Sequence, residues 1–356
     1  MQYLRFYNLR NYDRINTSSA MSKVEQQAGV SYDEARKGHD VRFGQAGDAE
    51  KYGQEYAGQG DEAYQRYQEA AQQVSGKSNQ GLASSRWDSV AECYMLGGED
   101  IRNVPWEDGE TNEVDAFVSE ELYIHSKLLI ADDRVVICGS ANLNDRSQLG
   151  NHDSEIAILI EDNQEIDSYM AGQPWRAKKF AASLRREIFR KHLGLLPPQD
   201  YSREHPNYLP IGAAPNEYDW GSREDHAVAD PLADSFMELW KTTAFNNTAV
   251  FAKIFHPVPF DGVRNWKQYD DYYERFFKPE DAKQAAKDTS RPSTWKWGHV
   301  VAEDFDKDPR MAAQQVKEEL SKVRGTLVEM PLLFLKEEDI AKEGLGLNAW
   351  TEEVYT

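Results

Sequence analysis

A chain of 356 residues can bury one large core or two modest ones. With 29% charged residues and a mean hydropathy of −0.75, no apolar run approaches the roughly 20 residues a spanning helix needs. The formal net charge of −20 repels a polyanion such as DNA, or an anionic membrane, on average, so either contact needs a local basic patch. Cys93 and Cys138 are too few for a disulfide framework and wrongly spaced for zinc. The opening MQYLRFYNLR has no basic end followed by an apolar run, so no secretory signal is expected and a cytoplasmic location is.

The first stretch, residues 1–16, reads as a short buried strand running into a loop at Asn8. Residues 17–86 are dominated by Gln, Gly, Ala, Ser and Tyr. With few branched aliphatics they bury too little apolar area to offset their ordering entropy, and a mobile insertion is expected. Order is expected to return near Trp87. ELYIHSKLLIA (121–131) reads as a strand, Asp132-Asp133 as a tight turn, VVICGSA (135–141) as its hairpin partner and EIAILIE (155–161) as a third strand. In WRAKKFAASLRREIFRKHLG (175–194), apolar residues Ala177, Phe180, Ala181, Leu184, Ile188 and Phe189 recur at helical spacing, and Gly194 ends the helix. Its many basic residues read as a solvated face rather than a lipid contact.

Residues 87–196 thus form one unit, 197–229 a polar, proline-bearing connection, and 230–356 a region that completes the unit. PLADSFMELWKTTAFNNTAVFAKIF (231–255) predicts a helix with Pro231 in its first turn. Residues 277–295 predict an exposed loop-and-helix segment, MAAQQVKEELSKVRG (311–325) a helix closed by Gly325, and TLVEMPLLFL (326–335) a last strand broken by Pro331. Trp220, Trp240 and Trp266 read as packing groups.

The chemistry concentrates in residues 119–162. Along a strand, side chains alternate faces, so His125 and Lys127 point one way while Leu128 and Ile130 point toward the core. Ser140 and Asn142 fall where the second strand ends, beside Gly139, which lets a ligand approach the backbone. An imidazole, an ammonium and a carboxamide brought to one spot suit a phosphoryl centre. The lysine neutralises non-bridging oxygens, the amide donates a hydrogen bond, and the histidine attacks phosphorus or protonates a leaving oxygen. Asn151-His152-Asp153 matches no metal spacing, and no metal site is assigned.

HSKLLIAD…GSANLNDRS resembles the HKD motif of the phospholipase D superfamily, and NHDSEIAILIED extends the likeness into the strand after the second motif of eukaryotic phosphatidylcholine-hydrolysing members. FYNLRNYDRIN, VRGTLVEMPLLFL and the terminal Thr356 resemble them too. With the Gln/Gly-rich insertion, the whole is most similar to the C-terminal half of a fungal enzyme. The resemblance implies an α/β fold, a mixed β-sheet flanked by helices that forms one half of a two-half sandwich.

It implies a role for each matching residue. His125 is one of two active-site histidines, Lys127 and Asn142 are phosphate ligands, Ser140 is a nearby helper and Asp132 holds the hairpin. Glu155 is a candidate to hydrogen-bond the far nitrogen of His125 and fix its tautomer. The reaction implied passes through a phosphohistidine without a catalytic metal, with phosphoinositide a candidate activator, at the surface of a phospholipid membrane.

In-line displacement at phosphorus needs two facing histidines, and this chain has one His-x-Lys. His39, His152, His192, His205, His226, His256 and His299 lack the rest of the pattern. A fragment inactive by itself, completed by an N-terminal HKD half, is the expectation. A symmetric dimer of single-motif chains and a non-catalytic lipid-binding or interaction fragment are the alternatives, and no nucleic-acid partner is expected.

Overall fold

A computed structural model describes residues 4–14, 18–32, 34–35, 55–74, 93–106, 112–197, 220–257, 259–276, 301–302 and 305–338. In chain order the elements are β1 (Tyr7–Arg14), α1 (Ser18–Ala28), α2 (Glu55–Val74), α3 (Glu113–Ala116), β2 (Phe117–Glu121), β3 (Lys127–Ala131), β4 (Val135–Gly139), α4 (Asp145–Gln148), β5 (Ala157–Glu161), β6 (Glu165–Met170) and β7 (Gln173–Lys178). There follow α5 (Lys179–His192), α6 (Arg223–Ala229), α7 (Asp234–Ile254), α8 (Trp266–Phe276), α9 (Pro309–Leu320), β8 (Leu327–Glu329) and α10 (Leu333–Glu337). The α/β class holds, as antiparallel sheets flanked by helices. The strands divide into three sheets ordered β2-β1-β8, β3-β4-β5 and β6-β7.

β1 does not give way to a loop at Asn8. It continues to Arg14, paired to β8 at its start (Tyr7↔Glu329) and to β2 at its end (Arg14↔Phe117). A buried charge network makes this polar strand worth extending. The Arg14 guanidinium, fully enclosed, donates to the carbonyls of Val104 at 3.3 Å and Pro105 at 2.6 Å and pairs with Glu113. Lys317 of α9 meets the same carboxylate at 2.6 Å. Buried charges persist only when paired in this way. Over this sheet, Tyr12, Phe117 and Val328 pack against Phe251 and Ile254 of α7 and Leu320 of α9.

The expected mobile insertion contains two helices in contact. Val24 and Ala28 of α1 bury against Tyr67, Ala70 and Ala71 of α2. These positions fall on one helical face each, and small side chains let the two backbones approach without long aliphatics. Residues 36–54 and 75–92 lie outside the described residues, as do the expected return of order at Trp87, segment 277–295 and Thr356.

The Asp132-Asp133 turn is as read, with φ of 53° and 55° and Arg134 N–H donating to the Ala131 carbonyl at 2.8 Å. Two positive φ values give the turn whose twist matches a hairpin, and aspartate tolerates them. The next hairpin, β6–β7, was not read. Residues 175–178 belong to β7 rather than to the helix, which begins at Lys179. The Ala171-Gly172 turn that closes it hands both backbone N–H groups to the Asp230 carboxylate, at 3.0 and 2.7 Å.

The basic face of α5 is only partly in water, with Lys191 exposed. Arg185, Arg186 and Arg190 are buried. Arg185 forks onto Asp133 at 2.6 and 2.7 Å and donates to the carbonyls of Val228 and Ala229. Arg186 pairs with Asp225 at 2.9 Å under the Trp220 ring. The charges serve to bolt α5 to the β3–β4 turn and to α6.

Pro231 precedes α7 in a turn rather than starting the helix, and α9 begins at Pro309 with Asp308 capping it. Leu333–Glu337 is helical, so the last strand is only three residues long. Phe334 of α10 meets Trp266 edge-on at 5.0 Å, while Trp240 packs against Phe189 and Phe236, which stack on each other at 5.3 Å.

Candidate active site

The open end of the β3–β4 hairpin collects the candidate residues. Register pairs Lys127 with Gly139, so the chain entering β3 and the chain leaving β4 lie side by side there. His125 is not on the strand. It stands in the irregular segment 122–126 between β2 and β3, solvent-exposed, its ring 5.8 Å from that of Tyr123. Among the described residues the imidazole has no hydrogen-bond partner, which leaves both nitrogens open to a substrate. The Lys127 ammonium turns back onto the His125 carbonyl at 2.6 Å. That bond holds the charge beside the histidine, as strand alternation alone would not.

Gly139 has a different cause from the one expected. A Cβ there would stand 2.8 Å from the Ile156 carbonyl oxygen and 2.9 Å from the Ala157 Cβ. The close approach of β5, rather than room for a ligand, demands glycine.

Glu155 does not reach His125 by a hydrogen bond. Its carboxylate accepts the hydroxyls of Ser140 and Ser147, the latter at 2.7 Å. Those two hydrogen bonds, Ser140 first, hold its carboxyl below the usual carboxylate range, and the Lys127 charge adds to the effect. Ser140 also accepts the Ile156 N–H at 3.0 Å. Asn142 has its backbone engaged at both ends, its N–H on the Ser147 hydroxyl at 3.0 Å and its carbonyl on the Gln148 side-chain amide at 2.9 Å. Its own carboxamide is exposed and unengaged among the described residues.

Asp132 lies at the closed end of the hairpin. Five residues of strand at about 3.3 Å each put it roughly 17 Å from Lys127. It acts there through its carbonyl, which accepts the Trp175 indole N–H at 2.8 Å. Asp132, grouped with the motif's catalytic residues by the resemblance yet read as holding the hairpin, is placed as a turn residue away from His125 and Lys127. Its neighbour Asp133, which sequence reading passed over, carries the buried ion pair to Arg185. Ser147 was missed too; the one local signal is Asn144, a favoured helix-cap residue whose side chain accepts the Ser147 N–H at 3.1 Å.

The sheet that carries the site is apolar, with Val136 buried beneath it but several large side chains at its histidine end exposed among the described residues. Leu128 was expected in the core, yet it is exposed. Leu129 is 57% exposed, Ile158 63% and Leu159 60%. Around the histidine, Tyr123 is 86% exposed and Leu143 fully so. Cys138 is exposed on β4.

Residues 102–210 match the family model described as Phospholipase D. Phospholipase D1 of Mus musculus is 36% identical over 241 residues, 66% of this chain and 17% of the mouse protein. Phospholipase D2 of Bos taurus is 35% identical over 240 residues, 66% of the chain and 20% of the bovine protein. Phospholipase D zeta 1 of Arabidopsis thaliana is 38% identical over 158 residues, 44% of the chain and 12% of the plant protein. The aligned part is thus a fifth or less of each of these relatives. The matched span holds the whole β3–β4 hairpin and the loop that follows it, and the chain belongs to the phospholipase D superfamily.

Proposed function

We propose that this chain contributes one half of a phospholipase D-type phosphodiesterase site acting on phosphatidylcholine at a membrane surface. The products are phosphatidic acid and choline, or a transferred phosphatidyl ester when a primary alcohol replaces water. The observation that carries the reading is the open end of the β3–β4 hairpin, where an exposed imidazole, an adjacent ammonium and an unengaged carboxamide come from two strand ends in fixed register.

In this reading Lys127 and Asn142 hold the non-bridging phosphate oxygens, with Ser140 beside them. One histidine of a facing pair attacks phosphorus, forming an N–P bond as the choline oxygen departs. The opposite histidine gives that oxygen its proton, then takes one from the incoming water, whose oxygen displaces the first histidine. No metal takes part. His125 is one of the pair, and a second polypeptide half supplies the other.

Two features support an added half. At the histidine end of the β3–β5 sheet, Leu128, Leu129, Ile158 and Leu159 are exposed among the described residues, an apolar patch of the kind that marks a docking surface. A formal charge of −20 on each copy opposes self-association, so a non-identical half fits better than a symmetric dimer. A lipid-binding fragment loses part of its motive, since three of the seven basic residues at 176–191 that suggested it are buried in ion pairs.

The test mixes this chain with the N-terminal half of a phospholipase D1 and supplies phosphatidylcholine with ethanol. Phosphatidylethanol should form, and His125→Asn should abolish it. Transfer that persists in the His125→Asn mixture would remove His125 from the chemistry.

A further inference from the structure

Asn142 can position a phosphate only if something holds it, because it lies in an exposed loop past the end of β4. A ligand loop must be fixed to within about 0.5 Å to act. Here the fixing comes from side chains rather than from a sheet ladder. Ser147 donates its hydroxyl hydrogen to Glu155 at 2.7 Å, and the same oxygen accepts the Asn142 N–H at 3.0 Å. Each bond orients the other, since a hydroxyl committed as donor to a carboxylate presents its lone pairs elsewhere.

The second Glu155 oxygen takes the Ser140 hydroxyl, and Ser140 in turn accepts the Ile156 N–H. One carboxylate thus braces both serines that flank Asn142. On the other side, the Gln148 side chain donates to the Asn142 carbonyl at 2.9 Å. Ser147 is itself anchored through its N–H to Asn144, and an ion pair between Arg146 and Asp153 at 2.9 Å closes the loop. The backbone of Asn142 is pinned at both ends while its carboxamide stays open.

We infer that Ser147, seated on Glu155, is a positioning residue that fixes the Asn142 carboxamide for the phosphate. The functional half of this inference rests on the reading of Asn142 as a phosphate ligand given above.

Two measurements test it. In the chain by itself, amide hydrogen exchange at Asn142 should quicken about tenfold in Ser147→Ala and stay near wild type in Ser147→Thr, which keeps the hydroxyl. In the two-half mixture, Ser147→Ala should lower kcat for choline release about tenfold or more, with KM little changed. Placed on Asn142→Ala, it should lower kcat no further, because the group it positions is gone. A purely structural role would give the same loss in both backgrounds and would overturn the inference, as would unchanged exchange at Asn142. If exchange responds as expected but Asn142→Ala leaves kcat intact, the brace stands and the phosphate role of Asn142 fails.

Discussion

Asp133→Asn should destabilise the protein by about 3 kcal/mol, while Asp132→Asn should change it by no more than about 0.5 kcal/mol. The two aspartates are neighbours, share a positive φ and sit in one turn. Asparagine tolerates that backbone as aspartate does, so the comparison isolates the charge. Asp133 is enclosed, with both oxygens on the Arg185 fork at 2.6 and 2.7 Å. Removing one member of a buried pair typically costs about 3–5 kcal/mol because the other charge is left uncompensated. The lower end applies here, since Arg185 keeps the carbonyls of Val228 at 2.6 Å and Ala229 at 2.9 Å as acceptors. The Asp132 side chain is exposed, and the bond it makes is through its carbonyl. Urea unfolding of the two variants gives the difference directly. Adding Arg185→Met to Asp133→Asn should recover part of the loss. Equal losses from the two single changes, or a larger one from Asp132→Asn, would refute the assignment of the anchoring role to Asp133.

Burial, with a smaller contribution from Lys191, lowers the His192 pKa from 6.5 to about 4. The unfolded chain therefore binds the proton first. Stability is complete above about pH 7 and falls as pH drops from 6.5 toward 4, by about 3 kcal/mol in all, and His192→Asn should flatten that slope in urea titrations. Gly325→Ala should cost about 2 kcal/mol or more, because a Cβ there would lie 2.1 Å from the His192 carbonyl oxygen at a φ of 59°, and thermal melts would reveal it. Leu129→Asp with Leu159→Asp should leave the isolated chain folded by circular dichroism, since both side chains are exposed, yet prevent capture by the second half in pull-downs. Undiminished capture would show that the half docks elsewhere.

The motif hairpin was legible because its apolar run, its Asp-Asp turn and its second apolar run obey short-range rules. The site loop was only partly so. The residue types at His125, Lys127 and Asn142 were readable, but strand alternation was extended two residues too far at His125. The role of Glu155 depends on which of several nearby hydroxyls and rings it meets, and spacing does not decide that. β6–β7 was hidden because Pro174 and the basic residues after it suppress the strand signal. The buried arginines of α5 read as a solvated face because their partners Asp133 and Asp225 are 52 and 39 residues away in sequence. A helix over YQRYQEAAQQV was readable, but its packing on α1 was not, because Val24 is the one branched aliphatic among the buried residues of a contact otherwise made by alanine and tyrosine.

The central claim is that this chain holds half of a phosphate cage. Choline release from phosphatidylcholine vesicles, measured for the chain alone and after adding the N-terminal half of a relative, addresses it most directly. The account predicts no release above background from the chain alone and release dependent on His125 once the second half is present. Full release from the isolated monomer would contradict it.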